Sequence, residues 1–472
     1  MVFDRRHLFT AEQADFRLLI RDFIRREVVP AYGEWEKLGH VPREFFARLG
    51  ELGVMGMAIP EKFGGSGDPD YRYNVILQEE ASRALVTLGT TRSQLDVWLP
   101  YFLEYCAPEQ QERWFPGLAA GQLLTAVAMT EPGTGSDLAG IKTRAVRDGD
   151  QYILNGAKTF ITGGFLADLV IVVARTSDAP PGNRRQGLSL LVVEDGMPGF
   201  VKGRKLDKIG LKVQDTAELS FADVRVPRAN LLGEEGQAFG YLGHNLPQER
   251  LTIAVGSVAQ ARAAVTAAQE YARSRLVSGQ ELATFQNTKF ELAACLTEVE
   301  AAQALLDRAL GELIGGTLTP ADAALVKLFT TEMQARVVDR CLQLFGGYGY
   351  ILEYPIARLY ADARVTRIYG GTSEVMKLII SKSMGLLRPG TAPPPEAVQP
   401  DGRPDDEARE ERRVRGDIGH LPDRQARGDD IRATRSGLGC GRSQAQDVAG
   451  HGDDAQRHQC PLLSPLLAPG DP

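Results

Sequence analysis

The sequence predicts an α+β multidomain protein: an N-terminal α-helical domain over residues 1–123, a β-sandwich or barrel over 124–235, and a C-terminal four-helix bundle over 236–387. Two changes of hydrophobic period and one change of composition carry this expectation. Apolar residues are spaced as on a helix as far as about Ala120, alternate with period two from about Leu124 to Leu232, and return to helical spacing from Gly236. After Met384 there is no Lys, Met, Phe, Tyr or Trp, while Arg, Asp, Gly, Pro and Gln dominate. Such a segment buries too little apolar surface to offset its ordering entropy, so residues 388–472 are expected to be a disordered tail. Its abrupt loss of Lys and aromatics also fits an out-of-frame C-terminus.

The first helix opens on the capping box Thr10-Ala-Glu-Gln13; Phe16, Leu19, Ile20, Phe23 and Ile24 then line one face as far as Pro30. Further helical stretches cover Pro42–Leu52, Tyr71–Leu85 and Gln94–Tyr105. In the middle region, Gly140–Val146 and Gln151–Asn155 flank a turn in which Gly149 supplies positive φ, a hairpin signal. Leu169–Ala174, Leu188–Val193 and Glu218–Val224 are further β-rich runs. The bundle is read over Arg250–Arg275, Phe285–Ile314, Pro320–Phe345 and Thr372–Leu387.

Composition removes several function classes. With 54 basic against 61 acidic residues and a net charge of −7, the chain has no broad basic surface, so nucleic-acid binding is not expected. The run Leu169–Ala174 is far too short to span a bilayer, and the start lacks a signal peptide's apolar core; no membrane span and a cytoplasmic location are expected. The five Cys form no CxxC pair and the six His never fall at ligand spacing, so no metal site is expected.

Four motifs occur in series: Thr130-Glu-Pro-Gly-Thr-Gly-Ser-Asp137, Asn155-Gly-Ala-Lys-Thr-Phe-Ile-Thr162, Gln343-Leu-Phe-Gly-Gly-Tyr-Gly-Tyr350 and Ile368-Tyr-Gly-Gly-Thr-Ser-Glu374. In this order and spacing they resemble the acyl-CoA dehydrogenase family over residues 10–387. Leu246-Pro-Gln-Glu-Arg-Leu251 and Gln214-Asp-Thr-Ala-Glu218 look most like its long-chain branch. Taken alone, the first motif is a tight loop whose glycines let backbone N–H groups approach a ligand.

The resemblance implies an FAD enzyme that converts a medium- or long-chain fatty acyl-CoA, or a related thioester, to the trans-2-enoyl-CoA, passing electrons to an electron-transfer flavoprotein. It implies cofactor contacts at Val127, Met129, Thr130, Gly135, Ser136, Phe160, Ile161 and Thr162. Phe160 stands where many relatives carry Trp. Arg275, Gln286, Gln343, Gly346 and Gly347 correspond to positions that reach the FAD of a neighbouring subunit, which implies a homo-oligomer, tetramer or dimer; Thr372, Ser373 and Glu374 cap the last helix beside the cofactor. Ser136, Leu246, Arg250, Gly370 and Gly371 would border the substrate. Ser278 departs from the family, which has a Phe there, and Arg92, Gln94, Asp96 and Trp98 are more polar than the acyl-lining residues of relatives.

The implied reaction needs a base for the substrate's α-proton, and a desolvated carboxylate suits that role because burial raises its pKa. Most relatives supply it from the position occupied here by Gly370. In the long-chain and isovaleryl branches it comes from the start of the first long C-terminal helix, where this chain has Glu249 just after Pro247. Glu249 is therefore the expected base, with the Gly370 backbone N–H binding the thioester carbonyl. On residues alone, Glu249 could equally be a first-turn carboxylate complementing a helix dipole. An oxidase or flavin monooxygenase on the same scaffold, or a non-catalytic CoA-thioester-binding protein, are the alternatives.

Overall fold

The computed structural model describes residues 5–386; the tail at 388–472 lies outside the described residues. The chain begins with α1 (Ala11–Phe23), capped as expected: the Thr10 hydroxyl accepts from the Gln13 N–H at 3.2 Å, and the Gln13 side chain accepts from the Thr10 N–H at 3.1 Å. The expected stop at Pro30 is not found. Ile24–Val28 widens into a π-turn and α2 (Val29–Leu38) carries on with Pro30 in its first turn, where the missing N–H has no intrahelical partner to lose. Then come α3 (Arg43–Glu51), α4 (Arg72–Arg83) and α5 (Thr91–Ser93). The same device recurs at the π-turn Gln94–Trp98, after which α6 (Leu99–Tyr105) starts around Pro100; α7 (Pro108–Ala119) closes the helical domain.

The middle domain is one sheet of eight strands: β1 (Thr125–Ala128), β2 (Arg144–Asp148), β3 (Gln151–Thr162), β4 (Leu169–Arg175), β5 (Leu188–Glu194), β6 (Phe200–Lys205), β7 (Thr216–Pro227) and β8 (Leu231–Leu232). The order is β6-β7-β3-β2-β4-β5-β8, with β1 parallel beside β4. Its two halves meet through the single pair Arg144 and Arg175 of β2 and β4. The expected hairpin forms, with Gly149 at φ +60° and Asp148 opposite Gln151. The first strand starts at Arg144 rather than Gly140, because Leu138–Gly140 closes a 3-10 turn.

β4 reads as a continuous apolar run because both of its faces are covered. Val170, Val172 and Ala174 pack into the sheet's own core with Tyr152, Leu191 and Phe221. Leu169, Ile171 and Val173 face the helical domain and share a core with Trp98, Leu99 and Phe102. The loop between β1 and β2 is held from inside: Glu131 accepts from the Lys142 and Thr143 N–H groups at 2.8 and 2.9 Å, and from Lys158 at 2.9 Å. Lys158, on β3 and fully buried, also donates to the Met129 carbonyl at 2.9 Å; burial pushes its pKa down to about 8 against the pull of Glu131.

The C-terminal domain starts with α8 (Ala238–Ser274), followed by a small hairpin of β9 (Leu276–Val277) and β10 (Gln280–Glu281). Then come α9 (Gln286–Ile314), α10 (Pro320–Phe345), α11 (Pro355–Ala363) and α12 (Ser373–Ser383). α8 begins well before Arg250, where the sequence had placed its start, and takes Pro247 into its interior. The bond that Pro247 cannot make costs about 3 kcal/mol; burial of Leu242 and of Pro247 itself offsets part of it. α8 has the length and apolarity of a membrane span, but 78% of that stretch is buried in the fold. Ala254, Ala261, Ala264 and Ala268, all at 0% exposure, bring α8 into the core it shares with α9 and α10.

Two outcomes test this account by chemical denaturation. Lys158→Met leaves Glu131 buried without its cation and is expected to cost about 3–5 kcal/mol. Ala264→Leu overpacks the bundle and is expected to cost about 1–3 kcal/mol.

Candidate active site

α8 carries Glu249 toward the loop between α11 and α12. Gly370 sits there at φ +62°, a conformation that favours glycine. A Cβ added to Gly370 would meet Ile253 Cδ1 at 2.4 Å and Glu249 Oε1 at 3.7 Å. The space that a side chain at 370 would enter is thus bordered by the carboxylate of Glu249, with Ile253 one turn further along the helix. Because α8 starts at Ala238, Glu249 lies in the body of the helix, so first-turn dipole compensation does not account for it.

The carboxylate is half-buried, and burial raises its pKa above the ordinary 4.5. Arg250, Arg92 and Lys327 oppose that shift, in that order of strength. Two of these cations also hold the loop. Arg250 Nε reaches the Gly370 carbonyl at 3.4 Å, and Lys327 Nζ donates to the Gly371 carbonyl at 2.8 Å. With both carbonyls engaged from the bundle side, the Gly370–Gly371 backbone is fixed beside Glu249. Lys327 is fully buried on α10, and burial, reinforced by Arg250, pushes its pKa down to about 8. The sequence reading missed Lys327; its only signal was a lone cation inside the apolar run Ala323–Phe329.

The cofactor residues expected on the sheet share the end of β1 and β3. Val127 and Ile161 are buried, Met129 and Thr130 half-buried, and the Thr130 carbonyl accepts from the Thr159 N–H at 3.0 Å. Gly135 and Ser136 are exposed on the loop that Glu131 and Lys158 anchor. Phe160 stands out among them: its ring is 68% exposed and its backbone sits at φ +58°, at the register shift between Lys158 and Ile161. A non-glycine residue at such φ costs about 1–3 kcal/mol and persists where the surroundings impose it. An exposed aromatic face beside a strand end fits a planar ring such as a flavin.

The remaining expected cofactor residues lie elsewhere. Arg275, Gln343, Gly346 and Gly347 line a separate groove with about 980 Å³ of empty space, where Arg275 lies over the Tyr348 ring at 5.5 Å; Gln286 opens α9. At about 1.5 Å per residue, Arg275 is about 39 Å along α8 from Glu249. Ser278, at φ +51°, forms the β9–β10 turn with Gly279. Thr372 caps α12 by accepting from the Val375 N–H at 3.3 Å, Ser373 turns inward to donate to Glu332 at 2.6 Å, and Glu374 is exposed. Among the described residues no cluster of His, Cys, Asp and Glu could hold a metal ion.

Three family models match in series: the acyl-CoA dehydrogenase N-terminal domain over residues 10–122, its middle domain over 126–224 and its C-terminal domain over 236–385. The mitochondrial long-chain specific acyl-CoA dehydrogenase of Sus scrofa is 44% identical over 379 residues, covering 80% of this chain and 88% of the relative. The crystal structure of an acyl-CoA dehydrogenase from Geobacillus kaustophilus superposes with a TM-score of 0.78 at 43% identity, covering 80% of this chain and 98% of that one. A glutaryl-CoA dehydrogenase from Mycobacterium smegmatis, solved in complex with FADH2, has a TM-score of 0.73 at 29% identity over 81% of this chain and 96% of its own. Motif order, domain order and a carboxylate facing a glycine N–H loop converge, and the chain belongs to the acyl-CoA dehydrogenase family of oxidoreductases.

Proposed function

We propose that the chain is an FAD-dependent acyl-CoA dehydrogenase in which Glu249 takes the α-proton of a fatty acyl thioester, giving the trans-2-enoyl-CoA, with an electron-transfer flavoprotein as acceptor. The observation that carries this reading is the 3.7 Å approach of Glu249 Oε1 to the position a Cβ would take at Gly370. The carboxylate reaches from α8 into the space that a Gly370 side chain would otherwise use. Bound FAD supplies the acceptor for the hydride leaving the β-carbon. The chain's own residues do the rest. Glu249 receives the proton, and the Gly370 N–H offers a hydrogen bond to the thioester oxygen as negative charge gathers there. Arg250 and Lys327 hold the two carbonyls of that loop from behind, so its N–H stays aimed.

Phe160 offers its ring to the flavin, while Val127, Met129, Thr130, Ile161 and Thr162 frame it along the strand ends. Within one chain Arg275 lies about 39 Å along α8 from Glu249, so a single FAD beside Glu249 is not expected to reach the Arg275–Gln343 groove of the same copy. A second copy of the chain supplying Arg275, Gln286, Gln343, Gly346 and Gly347 resolves this, so a homo-oligomer is part of the proposal.

Glu249→Gln keeps size and polarity but removes the base. Anaerobic bleaching of bound FAD near 450 nm by acyl-CoA should slow by roughly 10²- to 10⁴-fold with the flavin spectrum unchanged; bleaching at the wild-type rate would sink the assignment. Because Glu249 works only when ionised, kcat/KM should rise with pH through a pKa above the ordinary 4.5. Lys327→Met removes a nearby positive charge and a grip on Gly371. It should move that acid limb to higher pH and lower kcat by about tenfold, the equivalent of one hydrogen bond to a charged group. An unmoved limb would leave Lys327 with a purely structural role.

A further inference from the structure

Ile253 and Tyr369, which flank the Glu249–Gly370 centre, also form one wall of a partly enclosed cavity with about 700 Å³ of empty space, some of it open to solvent. This cavity runs between α8, α4 and the α5 turn, where the reacting end of a thioester would send its acyl chain. A cavity for a plain alkyl chain should be lined by apolar side chains alone. Leu77, Val86, Leu88, Leu95 and Ile253 line this one, yet Gln78, Thr91, Arg92 and Asp96 face it as well.

Their hydrogen bonding distinguishes fixed groups from open ones. Asp96 is engaged: Asn74 donates to it at 2.6 Å and Thr252 at 3.1 Å. The Ser257 hydroxyl is turned back to the Ile253 carbonyl at 2.9 Å. By contrast, Arg92 gives a single hydrogen bond, to the Tyr369 hydroxyl at 3.3 Å, and leaves the rest of its guanidinium donors free. Gln78 Nε2 and Thr91 Oγ1 are buried with no hydrogen-bond partner, although Gln78 lies close enough to Asp96 to help hold its charge. The open groups converge. A Cβ built on Gly256 would stand 3.1 Å from Gln78 Oε1 and 3.8 Å from Arg92 NH1, so both side chains hang over the same bare patch of α8. Gly256 lies one helical turn beyond Ile253, about 5–6 Å from it, a few carbons down a chain whose α- and β-carbons lie at Glu249.

The charges that face the cavity select among polar groups. Arg92 contributes one positive charge. Asp96 and Asp362 face it too, and burial raises each only to about 6, so both are mostly ionised at neutral pH. An anionic acyl end would meet two carboxylates for one guanidinium. A neutral oxygen, by contrast, can accept from Arg92 and Gln78 Nε2 and, as a hydroxyl, donate to Gln78 Oε1 or Thr91.

We infer that the substrate's acyl chain carries a neutral oxygen function, a hydroxyl or oxo group, a few carbons beyond the reacting pair, and that Arg92 and Gln78 recognise it. This rests on the dehydrogenase reading above and specifies its substrate class.

The test compares hexanoyl-, 6-hydroxyhexanoyl-, adipyl- and palmitoyl-CoA with the purified full-length holoenzyme, following flavin bleaching and kcat/KM. The hydroxyacyl thioester should exceed hexanoyl-CoA by at least tenfold, and Gln78→Leu, which removes no charge, should erase that margin through KM while leaving hexanoyl-CoA turnover in place. Arg92→Leu is the second variant: it should erase the same margin and, because it also removes a positive charge near Glu249, move the acid limb of kcat/KM to higher pH. A preference for hexanoyl- or palmitoyl-CoA that neither variant alters would overturn the inference and leave the dehydrogenase reading intact. So would a preference for adipyl-CoA, which would assign an anion instead. Failure of every thioester to bleach the flavin would sink both.

Discussion

A carboxylate placed in low-dielectric surroundings tends to take up a proton, and it stays ionised only where cations offset that cost. Around α8 one buried cluster of charge supplies both. Burial lifts the pKa of Glu249, while Arg250, Arg92 and Lys327 pull it back from the neutral form. The same cations are structural. Arg250 and Lys327 hold the carbonyls of Gly370 and Gly371, so the cations that tune this carboxylate also fix the glycine loop beside it. Removing Arg250 or Lys327 would disturb charge and loop position together.

The rest of the fold follows from presenting this cluster. α8 needs length to join the pocket to its partners in the bundle, and its alanines let α9 and α10 come close enough to bury Lys327. β4 and β5 are apolar on both faces because the sheet is wedged between its own second half and the N-terminal helices. The Glu131–Lys158 pair does for the β1–β2 loop what Lys327 does for the glycine loop: a buried lysine ties backbone carbonyls to a chosen position.

Features governed by local chemistry were legible in the sequence. Thr10 and Gln13 form a capping box in any context, Gly149 takes positive φ because a two-residue turn requires it, and Thr372 caps the last helix as a β-region hydroxyl should. Features governed by packing were not. Pro30 and Pro247 read as helix boundaries, yet a π-turn before the first and burial around the second let the helices run through. Lys158 and Lys327 look like ordinary cations because sequence does not say which side of a strand or helix is covered. The four motifs marked the strand ends around Phe160 and the Gly370–Gly371 loop, but the single-chain separation of Arg275 from Glu249 follows from the length of α8.

The π-turn at Gln94–Trp98 carries a consequence of its own. A turn closed by an i to i+5 bond holds one residue more than an α-helical turn, so it advances every later side chain by about 100° around the axis. Here that extra residue helps bring Asp96 to Thr252 and Asn74 at the cavity wall. A relative lacking one residue between Thr91 and Pro100 would keep the same hydrophobic composition and the same helix, yet turn a different set of side chains toward the cavity. In this stretch, the number of residues, as well as their identity, sets which side chains face the cavity.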